Sequence, residues 1–192
     1  MEASNLALYS LIKNNQKSFA AAVIEAGRVL NCDPNWLMYV MYFESKLNPA
    51  AKNPYSSATG LIQFTSATAL SLGTSTGALR EMSNVEQMRY VVKYLMPYKK
   101  YLNSLTNVYL AVFYPAGLSK DESWFLPLSE SWVNANKIFD VNGDKRIQKS
   151  EITSYIKNYF EKLQKKLGIP IIPAAGGGLL AIAALVFFCS II

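Results

Sequence analysis

The sequence predicts a mainly α fold: a helical domain, a small helix-loop-helix module behind it, and a C-terminal transmembrane helix. Three observations carry this. Apolar residues recur at helical spacing between capping signals, no alternating strand pattern of any length appears, and residues 169–192 carry no charge. With 192 residues, 51% of them apolar, the chain can bury one sizeable core with some length left over. The expected division is a segment 1–16, a helical domain 17–118, a module 119–168 and an anchor 169–192. No internal repeat or low-complexity linker interrupts it.

The first amphipathic helix spans residues 17–31, with Phe19, Val23, Ala26 and Leu30 inward. The second begins at Asp33-Pro34, an N-cap followed by a proline suited to the first helical position, and runs toward Asn48-Pro49. Leu37, Val40, Met41 and Glu44 share one stripe of it. Trp36, Met38, Tyr39, Tyr42 and Phe43 leave little polar surface elsewhere. A carboxylate on that stripe is costly to bury, and desolvation raises its pKa toward the range a general acid needs. Glu44 is therefore the candidate catalytic residue. A polar loop follows, with an irregular sheet or hairpin expected near residues 52–64, then a short helix from Thr65 to Gly73. Ser83 and Glu86 form a capping box for a long helix that ends near Pro97, and residues 106–114 form one more.

Composition narrows the chemistry. The chain has no histidine, which excludes Ser-His-Asp and Cys-His catalysis and His-ligated zinc. Its two cysteines, Cys32 and Cys189, form no disulfide framework. A net charge of +6 suits an anionic partner. No nucleic-acid motif accompanies that charge, so no nucleic-acid partner is expected. The N-terminus lacks the basic region of a secretory signal.

Three signals fall in order: Glu44-Ser45, then Gly60-Leu61-Ile62-Gln63-Phe64, then Phe113-Tyr114-Pro115-Ala116-Gly117. This pattern resembles the lytic transglycosylases and goose-type lysozymes, particularly versions carried by bacteriophages, over about residues 17–118. The resemblance implies a lysozyme-like fold, peptidoglycan as substrate and Glu44 as acid/base. It further implies a sugar cleft shaped by Gly60 and Gln63, and Tyr114 near the carboxylate; Ser45 and Phe64 are substrate-binding candidates by their place in the motifs, with core packing the alternative for Phe64. Pro115 departs from the pattern, standing where the family usually has asparagine. From the residues themselves, glycosidic cleavage needs a proton donor and a group that stabilises an oxocarbenium-like centre. A second carboxylate is missing, because Asp33 lies roughly 16 Å along the same helix from Glu44. Substrate assistance by the sugar's N-acetyl group is expected in its place, and the resemblance implies a 1,6-anhydro product. A hydrolytic lysozyme and a catalytically inactive glycan-binding protein remain alternatives.

In the second module, Asp140, Asn142 and Asp144 occupy positions one, three and five of an EF-hand-type loop over residues 140–151. Arg146 would offer its carbonyl and Glu151 a bidentate carboxylate, so structural calcium is expected. Lys145 stands where such a loop favours glycine. Beyond it, residues 174–192 as a helix would reach roughly 28 Å, about one bilayer core. Lysines precede this stretch and no charge follows, which predicts a tail anchor in a lipid membrane. A wall-degrading site held this way cannot reach peptidoglycan from inside the cell that made it. Carriage in a virion, in contact with other virion proteins, is the expected resolution.

Overall fold

A computed structural model of the chain describes residues 1–168. The expected membrane anchor at 169–192 lies outside the described residues, and among these no helix is long and apolar enough to cross a membrane. The architecture is helical, with eight α-helices among the described residues joined by loops and 3-10 turns.

The first helix, α1 (Gln16–Leu30), buries Phe19, Ala20, Val23, Ala26 and Leu30 and ends on Asn31 in the left-handed region. α2 (Pro34–Ser45) starts as the sequence predicts: the Asp33 carboxylate accepts the Asn35 N–H at 2.9 Å, with Pro34 first in the helix. Its end differs. The helix stops at Ser45, before Asn48-Pro49, because Lys46 (φ 56°) and Leu47 (φ 62°) both turn left-handed. Two such residues in succession cost roughly 1–2 kcal/mol each. Their N–H groups close the helix by bonding to the Tyr42 and Met41 carbonyls at 2.9 and 3.3 Å.

The short helix α3 (Ser66–Ser71) is capped by Thr65, whose hydroxyl accepts the Thr68 N–H at 3.2 Å, and Gly73 (φ 77°) follows it. α4 (Thr76–Glu81), capped by Ser75, was not expected, since six residues carry too short a period to recognise. α5 (Asn84–Leu95) has the Ser83–Glu86 capping box. Pro97 does not stop the chain there; the helix tightens into a 3-10 segment, Met96–Tyr101, in which proline is tolerated early. α6 (Leu105–Phe113) ends at Tyr114.

Helices α1, α2, α5 and α6 pack around one core. The N-terminal segment joins it, burying Leu6, Ala7, Leu8 and Ile12, and the Ala7 N–H is taken by the buried Asn35 side chain at 2.7 Å. The segment near residues 52–64 contains only isolated bridges, Lys52 with Thr59 and Thr59 with Phe64, instead of a continuous hairpin.

The expected second module is not separately cored. α7 (Glu130–Ala135) and α8 (Lys149–Leu167) flank the loop 140–151, and Phe139, Ile147, Ile152, Ile156 and Phe160 join the same hydrophobic cluster as α2 and α6. α8 is also tied to α2 through polar groups: the Gln164 amide donates to the Tyr39 hydroxyl at 2.6 Å. The rings of Tyr39 and Phe160 lie 4.6 Å apart.

One polar side chain closes the core beside the loop 49–64. Gln87, fully buried in α5, accepts the Leu61 N–H at 2.9 Å and donates to the carbonyls of Pro49 and Leu79, both at 2.6 Å. Gly60 approaches it so closely that a Cβ there would lie 2.6 Å from the Gln87 Oε1, and its φ of 78° excludes most side chains anyway. Replacing Gln87 by Ala would leave the buried Leu61 N–H and the half-buried Pro49 carbonyl unpaired, each worth about 1–3 kcal/mol, while the Leu79 carbonyl would keep only the Met82 N–H at 3.1 Å. We expect Gln87→Ala to destabilise the fold by about 3 kcal/mol or more, read as a lower midpoint with an unchanged slope in urea unfolding.

Candidate functional site

Glu44 sits in the last turn of α2, where the helix carries it past the core. Its side chain keeps some accessible surface, yet protein atoms surround the carboxyl, as they would at the floor of a cleft. Burial pushes its pKa up to about 7, and the Lys46 ammonium offsets part of that rise. Among the described residues no protein group donates a hydrogen bond to the carboxyl, and no second carboxylate acts on it.

Two phenols lie within the field of Glu44 that the sequence pattern did not single out. Tyr94 of α5 is raised to about 12, mainly by burial, with the charges of Tyr98 and Glu44 adding to it. Its hydroxyl donates to the Ala111 carbonyl at 2.9 Å. Tyr109 of α6 is raised well above the usual phenol value by burial first and then by the charges of Glu44 and Tyr155. Both phenols therefore stay protonated at neutral pH. The Tyr94 proton is committed to the main chain, whereas the Tyr109 hydroxyl has no protein partner among the described residues. The Tyr109 ring is itself buried, 2% exposed, among the core residues of α6. Tyr114, the expected neighbour, packs its half-buried ring against Trp124 at 6.0 Å.

The motif residues 60–64 shape the loop more than they line it. The Thr59 and Phe64 main chains exchange N–H···O bonds of 3.0 and 2.7 Å, which closes a tight turn. Inside it, Gln63 adopts φ 55°, and its side-chain amide donates to the Gly60 carbonyl at 3.1 Å. Phe64 is buried, edge-on to Tyr94 at 6.3 Å, and so acts in the core. Ser45 is buried too. Its hydroxyl lies 2.9 Å from the Met41 carbonyl and 3.0 Å from that of Leu61, two acceptors for one proton. Ser45 thus fastens the loop to α2 directly beside Glu44. Of the predicted cleft residues, Ser45 and Phe64 hold the site from behind.

Phe43, the residue before Glu44, is a hub of rings. Tyr159 and Tyr109 meet it nearly edge-on at 5.1 and 5.3 Å, and Tyr155, Phe160 and Phe139 lie 6.4 to 6.5 Å away. Phe139 immediately precedes the acidic loop, so that loop is mechanically connected to α2.

In the loop, Asn142 Oδ1 accepts the Asp144 N–H at 2.8 Å and Asp144 Oδ1 the Arg146 N–H at 2.9 Å. Asp140 Oδ2 accepts from the Lys145 N–H at 3.1 Å, and Lys145 itself adopts φ 62°, the conformation glycine would take there more cheaply. Glu151 does not face a cation position freely. Its Oε1 accepts the Val141 and Asn142 N–H groups at 3.0 and 3.2 Å, and its Oε2 caps α8 through the Gln148 N–H at 2.8 Å. No cluster of three or more acidic, Cys or His side chains poised for a metal exists among the described residues. One observation fits a cation nonetheless: Asp140 Oδ1 is buried without a hydrogen-bond partner among them. Arg146 lays its guanidinium 3.5 Å over the Phe125 ring, and Ile147 is fully buried, its carbonyl accepting the Leu126 N–H at 2.9 Å.

The transglycosylase SLT domain model matches residues 21–135, which contain Glu44, the loop 60–64 and Tyr109. No curated protein and no solved structure matches the chain. A match over more than half of the chain, around a desolvated glutamate in a helical core, shows that the chain belongs to the SLT transglycosylase family, the lysozyme-like enzymes that cleave peptidoglycan.

Proposed function

We propose that Glu44 alone carries proton transfer in a lytic transglycosylase reaction at the β-1,4 bond between N-acetylmuramic acid and N-acetylglucosamine. The observation that supports this is its desolvated carboxyl with a pKa near 7 and no carboxylate partner. Near neutral pH a substantial fraction is protonated, which suits donation to the leaving glycosidic oxygen. The substrate's N-acetyl oxygen forms a bond to C1 as the C1–O4 bond breaks. Glu44, now ionised, takes the proton of the 6-hydroxyl while O6 displaces the acetyl oxygen at C1. No water is consumed, and the product is a 1,6-anhydro sugar. Tyr109, with a free and protonated hydroxyl, is placed to steady the ionised carboxylate between the two steps.

The uncharged apolar sequence of residues 169–192, with lysines before it, leads us to propose membrane anchorage and carriage in a virion, for local opening of the wall during entry. Recovery from membranes of uninfected cells, with none in purified virions, would overturn that part. We also propose that the loop 140–151 takes calcium weakly, as a structural brace. Asp140, Asn142, Asp144, the Arg146 carbonyl and Glu151 would hold it, with Glu151 exchanging its main-chain bonds for the ion. The unpartnered Asp140 oxygen supports this.

Three measurements test these readings. Full-length protein in detergent should release anhydromuropeptides from purified peptidoglycan, and Glu44→Gln should lose about 10³-fold or more in rate. Reducing-end products would make it a hydrolase, and no products from several wall types would leave glycan binding as its role. The pKa of Glu44 also couples to stability. Its folded value lies above the unfolded one, so the folded state binds the extra proton, and the chain loses stability as pH rises from about 4.5 to 7. The loss approaches about 3 kcal/mol above pH 7. Glu44→Gln, which escapes it, should be the more stable protein at pH 8, with the gap closing below about pH 5 in paired urea titrations. Finally, calcium at about ten times its dissociation constant should raise Tm by about 3–6 °C, and Asp140→Ala should abolish the rise. An equal rise in that variant would disprove the site.

A further inference from the structure

Resting on the transglycosylase reading, we infer that α8, which lies beyond the family-matched segment, forms a subsite for the acidic peptide stem that hangs from the muramic acid. A pocket of ≈ 220 Å³ opens along its outer face, lined by Val141, Ser154, Tyr155, Asn158, Tyr159 and Lys162. That is smaller than the about 300–1,000 Å³ typical of whole-ligand sites, so it suits one or two residues of a larger chain.

The pocket adjoins the chemistry. Tyr155 and Tyr159 stand one turn apart with nearly parallel rings, and both touch Phe43. Phe43, which both rings meet, directly precedes Glu44 in α2, so the pocket lies beside the helix end that carries Glu44. Lys46, two residues after Glu44, reaches across to donate to the Tyr159 hydroxyl at 3.1 Å. A stem attached to the sugar being cleaved must pass this close to the carboxyl.

Its chemistry matches such a stem. The ion pairs among the described residues are Arg28 with Glu25 and Lys149 with Glu122, so the exposed Lys162 of the pocket is in no ion pair there, whereas Lys46 acts on Glu44. Asn158 and Ser154 offer hydrogen bonds to peptide groups. Val141 is an apolar side chain left 64% exposed at the rim, where an alanine methyl would cover it. A neutral glycan surface accounts for the tyrosines alone; a carboxylate-bearing peptide accounts for the Lys162 ammonium beside them as well.

The test uses the full-length chain in detergent and a synthetic stem tetrapeptide containing alanine and isoglutamate, with free carboxylates or with every carboxylate amidated. Calorimetric titration should show binding of the acidic form, at least about 10-fold weaker binding of the amidated form, and a loss of about 5- to 10-fold in Lys162→Ala. Lys162→Arg should restore most of the affinity. On glycan strands, Lys162→Ala should raise KM for stem-bearing substrate and so narrow the preference over strands stripped by an amidase. Equal affinity for both peptides, or unchanged affinity in Lys162→Ala, would overturn the proposal. So would a Lys162→Ala defect confined to retention on phosphatidylglycerol vesicles, which would make the ammonium a lipid contact. Peptide binding is read without turnover, so a chain that binds the stem yet releases no anhydro product would refute the catalytic reading and leave the subsite standing.

Discussion

The three hydrogen bonds of the Gln87 amide are the constraint on which the site depends. A buried amide in water-free surroundings must satisfy both its oxygen and its nitrogen, and here every partner is main chain from a different place: Leu61, Pro49 and Leu79. The amide therefore fixes the loop 49–64 against α5. The Ser45 hydroxyl binds the same loop to α2 through the Leu61 carbonyl. Glu44 is held by this pair of attachments from one side and by the rings around Phe43 from the other. Its desolvation, and so its chemistry, follows from how tightly that frame closes.

Much of the frame was legible before any coordinates. Asp33-Pro34, Thr65 and Ser83–Glu86 are local capping signals, and each begins a helix where it should. Glu44 stood out because a carboxylate on an apolar stripe is a local contradiction, and such contradictions mark function. What the sequence hid was anything decided by long-range partnership. Gln87 looked like one more polar residue on an amphipathic helix, though its partners lie 8 to 38 positions away. Phe64 and Ser45 were cleft candidates, and both are buried. The difference is only which way the surrounding elements leave a side chain facing. The end of α2 was misplaced because non-glycine residues adopt the left-handed conformation at Lys46 and Leu47, where tertiary packing overrides propensity.

The acidic loop teaches a related lesson. Its residue pattern was read from ligand positions alone, yet the Asp140, Asn142 and Asp144 side chains spend acceptor capacity on their own backbone, and Glu151 closes the loop and caps α8. These hydrogen bonds hold the loop in shape without an ion. Lys145 tolerates its left-handed backbone because those bonds determine it from both sides.

The joining of Phe139, Ile152, Ile156 and Phe160 to the core of α2 and α6 has a consequence for inheritance. An appendage tethered by a linker can be traded between proteins as a cassette, because nothing else notices its departure. This one cannot. Each of those side chains contributes about 1.5–3 kcal/mol of burial, comparable in sum with the whole stability of an ordinary domain. Separating α8 from α6 would expose the flank of α2, so the helix-loop-helix and the helical core share one steric fate: a change in one side chain is felt by its neighbours in the other.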